Sequence, residues 1–398
     1  MSSSGSSPSP EPSSAALARI VAALAETAVE RDRAGGTARR ERALIRESGL
    51  LALSIPRDFG GAGADWAETM RAVRRIAEVD GSLAHLFGFH HLLVATVRLF
   101  GEERQWRDAY EGTARNAWFW GNTLNPLDQR TTIRRDERNG AAGWRIDGVK
   151  SFCSGASDSD RLIVSALDSD RRLVVAAIPT DRAGIRIVDD WDNMGQRQTD
   201  SGTVTFEGVA IADGEILRSP GPLGSPFAGL RPCIAQLVLA NVFLGLGQGA
   251  LEAARGYTRG QARAWPASGV ASPSDDPYVL RTYGELWVGL RGAAALADAA
   301  GAALDEAWER AEAVTPAARG AAAIAIAAAK VSTTRAGLDA ASRMFEVTGA
   351  RATAAAARFD RFWRNLRTHT LHDPVDYKLR ELGRFALLDE LPTPSFYS

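Results

Sequence analysis

The sequence predicts an α+β protein in three parts: an N-terminal helical domain, a central antiparallel β-barrel domain and a C-terminal four-helix bundle. Three observations carry this expectation. Apolar residues recur at helical spacing from Ala15 to about Arg115. Beyond Asn116 the pattern changes to the two-residue alternation of strands, with no helix between them. From about residue 230 onward, long alanine-rich helical stretches follow one another through short links.

Residues 1–14 are Ser, Pro, Gly and one Glu after Met1. They lack the charged and apolar segments of a signal peptide and read as the disordered tail of a cytoplasmic protein. In the helical domain, 15–115, Leu17, Ile20, Val21 and Leu24 share one face, and residues 41–53 repeat the pattern. A Pro/Gly-rich loop at 55–63 leads to helices over 66–79 and 83–100. The last of these carries His85, His90 and His91. The β domain, 116–225, opens with alternation from Trp144 to Phe152, where Asp147-Gly148 reads as a tight turn between short strands. Apolar runs at 162–167 and 173–178 and alternation through 203–206 and 209–211 complete it. The Gly/Pro-rich stretch 219–229 is the next boundary. The bundle, 226–398, has helical stretches at 233–258, 278–312, 316–347 and 353–367. Thr315-Pro316 reads as a cap with proline in the first turn, and Gly349 as a helix stop.

Composition bounds the function. A net charge of −1 gives no general attraction to nucleic acid or an anionic membrane. No apolar run reaches the roughly 20 residues of a membrane span. Cys153 and Cys233 are too few for a disulfide framework or a cysteine zinc site, so no metal is expected. All five histidines fall in two places, His85, His90 and His91 near the start and His369 and His372 near the end. Folding that joins the two places would point to imidazole chemistry. Otherwise they are ordinary buried or surface residues.

Four segments carry a resemblance. Ser48 to Gly61, Trp144 to Gly155, Met194 to Phe206 and Arg364-Asn-Leu-Arg367, in this order, are similar to motifs of the acyl-CoA dehydrogenase superfamily. The likeness covers nearly all of the chain after the tail. It implies a flavin held between the β domain and the bundle, in a homotetramer. Two departures bear on activity. The glutamate base of the dehydrogenases would fall at or next to His372-Asp373, and Pro374 follows where the family has glycine. The acid of the family's flavin loop is replaced by Asn125, within Gly121 to Pro126. Asn122, Asn125 and the Thr370 to Pro374 segment instead resemble the reduced-flavin monooxygenase branch, which includes dibenzothiophene and dimethyl-sulfone monooxygenases.

That branch implies reduced FMN supplied by a flavin reductase, with FAD the other possibility. It also implies O2, a C4a-hydroperoxyflavin, and oxygen transfer to a small apolar substrate through its sulfur or an amine nitrogen. The resemblance gives Ser154 and Asn125 catalytic and flavin contacts, with Phe152 beside them, and sets His372 facing the flavin. His90, His91, Asn122 and Trp191 would line the substrate side. Arg263, with Arg259 as the alternative, would meet the FMN phosphate, and Gly349 and Arg351 would also bind the cofactor. A second reading is an acyl-CoA dehydrogenase whose base has moved to Glu252 or Asp373. A third is a non-catalytic relative on the same fold.

Overall fold

The computed structural model describes residues 13–136 and 143–398, so most of the expected tail lies outside the described residues. Five helices come first: α1 Ser13–Ala34, α2 Arg39–Glu47, α3 Trp66–Ala77, α4 Gly81–Phe100 and α5 Glu103–Asn116. Aspartates cap two of them. Asp65 accepts from the Glu68 amide at the start of α3, and Asp80 from the Leu83 amide at the start of α4. The whole of α4 except Arg98 is buried, so its three histidines are interior residues.

Seven strands follow: β1 Trp120–Thr123, β2 Thr131–Asp136, β3 Gly143–Lys150, β4 Arg161–Leu167, β5 Leu173–Pro179, β6 Ile185–Ile187 and β7 Val204–Ala212. They form one sheet in the order β1-β4-β2-β3-β7-β6, with β5 on β4. The sheet is mostly antiparallel, but β1 and β2 both run parallel to β4. They lie end to end along one edge of β4 while β5 pairs with the other. The loop between β1 and β2, which holds Asn125, therefore bridges along that edge. Asp147-Gly148 is not a turn. Strand β3 runs straight through it with a register shift against β7 between Ile146 and Gly148. Gly148 has φ 127°, and a Cβ there would sit 2.1 Å from the Arg130 carbonyl oxygen. A bulge needs that glycine as much as a turn would, which is why the dipeptide is ambiguous in the sequence.

The C-terminal part is α6 Leu230–Gly260, α7 Pro277–Glu309, α8 Pro316–Thr348, α9 Asp360–Thr370 and α10 Val375–Leu388. The Thr315 hydroxyl accepts from the Ala318 amide, so the expected cap is formed. The fourth expected helix is shorter and starts later, at Asp360, because a 3-10 turn, Ala350–Thr353, follows Gly349. An additional helix, α10, follows Pro374.

By length and composition α4 and α6 could each cross a membrane, yet both are mostly buried within the protein. They share one core with the bundle, while a second core fills the sheet. Small residues let α6 approach α3 closely. A Cβ on Gly249 would lie 2.0 Å from the Glu78 carbonyl oxygen, and one on Gly245 would lie 2.3 Å from that of Arg74. Backbone cannot swing aside as a side chain can. Gly249→Ala is expected to cost at least about 1–3 kcal/mol, read as a lower denaturant midpoint. A midpoint equal to that of the unsubstituted protein would contradict this packing.

The β domain meets the helices through two loops. The 191–203 loop abuts α9 so closely that a Cβ on Gly195 would lie 2.1 Å from the Arg364 carbonyl oxygen. The Gln196 amide donates to Asn365 Oδ1 at 2.7 Å, and the Gln198 amide to Ser82 Oγ at 3.3 Å. The 152–155 loop reaches α2, where Arg42 Nη2 donates to the Gly155 carbonyl at 3.0 Å. These contacts position the site.

Candidate active site

The two histidine groups do meet, through His85 rather than its neighbours. The His85 ring packs edge-to-face on His369 with centroids 4.5 Å apart, and His369 packs on Phe243 at 5.6 Å. On the other side His85 lies 4.1 Å from Phe89. Nδ1 of His85 and Nδ1 of His369 are both buried without a hydrogen-bond partner among the described residues. Two such atoms side by side in a packed interior are uncommon, and a bound ligand is one way to satisfy them. The Ser154-Gly155 turn is adjacent: a Cβ on Gly155 would touch Leu86 at 3.0 Å.

His90 and His91 need correcting as substrate-side residues. Both are 0% exposed. The Trp120 amide donates to His90 Nδ1 at 3.3 Å, so Nε2 carries the hydrogen and donates to the Leu51 carbonyl at 2.7 Å. His91 Nδ1 bonds Ser54 Oγ at 2.8 Å, and its ring packs on Phe87. They tie α4 to its neighbours. The turn of α4 that faces the site is the one carrying His85.

His372 stands at the start of a buried polar chain. Its Nδ1 lies 2.9 Å from Asp373 Oδ1, the same oxygen that accepts from Lys330 Nζ. Lys330 also donates to Gln236 of α6. Burial alone would raise the Asp373 carboxyl, but the bonds to His372 and Lys330 hold it well below the ordinary carboxylate range. Burial pushes Lys330 down to about 8, with Asp373 opposing the shift. An ionised Asp373 can only accept, so the hydrogen between them sits on His372 Nδ1. Nε2 is then the atom left facing outward, on a side chain 41% exposed. Tyr397 lies against this ring, with centroids 6.0 Å apart.

A hydroxyl chain lines the β side. Thr199 Oγ1 donates to the Gln196 carbonyl at 3.0 Å, and Ser201 Oγ donates to Thr199 at 2.7 Å. Ser201 has then used its hydrogen, so the 2.7 Å contact with Ser154 is a donation from Ser154. Ser154 thereby presents lone pairs, and no hydrogen, to any ligand. The loops carrying these hydroxyls hold three non-glycine residues in the left-handed region: Phe152 at φ 60°, Gln196 at 54° and Asp200 at 38°. Strain of this sort persists where surroundings enforce it, commonly at ligand sites. Arg42 supplies the enforcement, binding Asp158 at 3.0 Å and Asp200 at 3.3 Å while fully buried. Phe152 is left 60% exposed, with Trp191 set edge-on at 6.1 Å. Trp191 Nε1 donates to the Gln196 carbonyl, which fixes the ring.

The remaining candidates divide. Asn122 Oδ1 accepts from the Leu124 amide at 3.1 Å, and the Asn122 backbone N–H donates to the Ser154 carbonyl at 3.0 Å, joining the two loops. Asn125 Oδ1 accepts from the Leu127 amide, and its carbonyl accepts from Lys150 at 3.0 Å. Its Nδ2 makes only a 3.5 Å contact with the Ser151 carbonyl. Arg263 and the Gly349-Arg351 turn are brought to one end of the bundle, where Thr258 Oγ1 donates to the Val347 carbonyl. Gly349 closes α8 at φ 76°. Arg263 and Arg351 are exposed, without an ion pair among the described residues. Glu252 is exposed on α6 and paired with Arg255 at 2.8 Å, so it is no buried base. Sequence reasoning missed Lys330, Gln236, Ser201 and Thr199. Thr199 and Ser201 lie within the Met194 to Phe206 motif, whose hydroxyls were not singled out, and Gln236 lies outside the quoted motifs. Lys330 was visible as one of three lysines.

The set fits a flavin: an aromatic pair open to a planar ring, an acceptor hydroxyl, unpaired imidazole nitrogens and free arginines for a phosphate. Comparison with known proteins agrees. Models of the acyl-CoA dehydrogenase N-terminal, middle and C-terminal domains match residues 14–116, 123–209 and 237–377. The chain is 55% identical to the probable FMNH2-dependent monooxygenase SfnC of Pseudomonas putida, over 98% of each chain. The structure of methanesulfinate monooxygenase MsuC from Pseudomonas fluorescens superimposes with a TM-score of 0.95 at 54% identity, covering 98% of this chain and 100% of that one. FMN-bound TdsC of Paenibacillus sp. A11-2, a dibenzothiophene monooxygenase, gives 0.92 at 42% identity, covering 97% and 100%.

Proposed function

The chain belongs to the acyl-CoA dehydrogenase family, and we propose that within it the protein is an FMN-dependent monooxygenase acting on a small sulfur compound. The observation that carries this reading is the state of Asp373. A dehydrogenase needs a free carboxylate to remove an α-proton. Asp373 Oδ1 is taken up by both His372 and Lys330, and these bonds hold its carboxyl below the ordinary range, so it suits orienting the imidazole.

Reduced FMN, when bound, supplies the two electrons that split O2, so that one oxygen atom enters the substrate and the other leaves as water. The chain's residues do the rest. Phe152 and Trp191 would hold the ring system. Ser154, fixed as an acceptor by Ser201, suits an N–H donor such as reduced flavin carries. His372 can hold or release a proton at Nε2, steadied by Asp373 at Nδ1. His85, Phe89, His369 and Phe243 close the apolar side and exclude water. Arg263 or Arg351 would meet the phosphate by a bidentate fork.

Reduced FMN would come from a separate reductase, in keeping with the FMNH2-dependent relative. Self-association, as a homotetramer, is supported by apolar surface that one protomer leaves bare. Tyr278, Leu280, Trp287 and Val288 of α7 and Leu387 and Leu388 of α10 are exposed. A monomeric mass in light scattering would sink that part. The activity is tested by mixing protein and chemically reduced FMN with oxygenated buffer, offering methanesulfinate or dibenzothiophene. Oxygenated product is expected. Turnover of acyl-CoA thioesters in place of either compound would overturn the reading.

A further inference from the structure

Residues 389–398 follow α10 without helix or strand, yet they are tied to the bundle along their length. Asp389 turns the chain back at φ 56°, and its amide closes α10 on the Phe385 carbonyl at 2.9 Å. Leu391 then rests on α8 where Gly320 leaves room: a Cβ there would lie 2.7 Å from Leu391 Cδ1. Pro392 and Pro394 stiffen the segment by fixing φ. Phe396 packs on the core that α4 and α6 share with the bundle. A tight turn follows, in which the Ser395 amide donates to the Ser398 main-chain oxygen at 3.0 Å and the Tyr397 amide to Ser395 Oγ at 3.2 Å. Two buried cations grip this turn. Arg319 of α8 donates from Nη2 to the Ser398 oxygen and from Nε to the Gly229 carbonyl at 3.1 Å. Lys378 of α10 donates to the Tyr397 carbonyl and, at 2.9 Å, to Glu381. A buried donor that loses its acceptor is costly, so both cations hold the segment where it is.

The turn delivers one ring to the site. Tyr397 lies against His372 with centroids 6.0 Å apart and ring planes inclined at 50°. Its hydroxyl makes no hydrogen bond among the described residues, so what it offers the imidazole is its ring. His372 needs such a neighbour. It stands in the short link between α9 and α10, its side chain is partly exposed, and its Nδ1 bond to Asp373 is its one side-chain bond among the described residues. A single hydrogen bond fixes one point of an imidazole but leaves its tilt about that bond free. An anchored aromatic ring on one side removes that freedom and so aims Nε2. We propose that Tyr397 is a positioning residue for His372, and that residues 389–398 are the strap that holds Tyr397 in place. This rests on the monooxygenase reading above, in which Nε2 holds or releases the proton.

Two variants of the full chain test this. Tyr397→Leu removes the ring but keeps apolar bulk, and Tyr397→Phe keeps the ring. The first readout is heteronuclear NMR of flavin-free, histidine-labelled protein, with the His372 ring signals identified by their loss in His372→Ala. One sharp set is expected in the unsubstituted protein and in Tyr397→Phe. In Tyr397→Leu the set should broaden or divide as the imidazole takes up several tilts. The second readout is product and hydrogen peroxide per reduced FMN oxidised, with methanesulfinate or dibenzothiophene offered. Tyr397→Leu should lower the ratio of product to peroxide at least about tenfold, since a small misplacement of a reacting group is costly. Tyr397→Phe should restore it. A merely structural role would lower the melting temperature of Tyr397→Leu while leaving the His372 signals and the ratio alone, and that result would overturn the proposal. Tyr397→Phe as impaired as Tyr397→Leu would overturn it too. If the unsubstituted protein yields no oxygenated product, the monooxygenase reading fails, and the NMR comparison still decides whether Tyr397 orients His372.

Discussion

His372→Ala should convert the protein from an oxygenase to an oxidase. Reduced FMN and O2 are still consumed, hydrogen peroxide appears, and oxygenated product falls at least about 100-fold, the usual scale for losing a positioned proton donor. The effect depends on one atom. Asp373 fixes Nδ1, and Lys330 with Gln236 fixes Asp373, so Nε2 is presented in one orientation. Alanine removes that nitrogen without disturbing the aromatic pair or the hydroxyl chain, so flavin binding should persist. The ratio of product to peroxide per flavin oxidised is the measurement. A ratio within twofold of the unsubstituted protein would remove His372 from the mechanism.

The second large effect is on stability in mild acid. Four imidazoles are buried, and burial is the first cause lowering each: His85 to about 3, His90 to about 4, and His91 and His369 well below the ordinary value. Each is neutral in the fold but takes up a proton in the unfolded chain below about 6.5. The unfolded state then binds more protons, so the stability is present above pH 6.5. It is lost as pH falls from there toward 4 for His90 and 3 for His85. At pH 5 the loss is about 2 kcal/mol for each imidazole. Asp200 works in the opposite sense. Burial pushes its carboxyl up to about 6 against the pull of Arg42, so the fold binds a proton there that the unfolded chain does not. It therefore offsets roughly one imidazole between pH 6 and 4. Urea midpoints from pH 7.5 to 5 should drop steeply, by several kcal/mol once converted. A flat profile would mean that these rings are charged in the fold.

The local periodicities of the chain determined the three-part order, the positions of most helices, the Thr315 cap and the β character of the middle segment. They did so because helix and strand spacing is set by the nearest few residues. The motifs that carry the family likeness are local too, and with them His372 and Ser154 could be singled out. The sequence alone could not choose among His85, His90 and His91. Consecutive positions on one helix point in different directions, and only the packing of α4 against α9 and β1 decided which ring meets His369. Nor could it separate a bulge from a turn at Asp147-Gly148, since both need a glycine there and the register with β7 settles it. The tertiary structure alone decided that Asp373 is bonded to both His372 and Lys330 and that Ser201 turns Ser154 into an acceptor. Each of these depends on burial and on partners distant in the chain, and neither is written in the spacing of neighbouring residues.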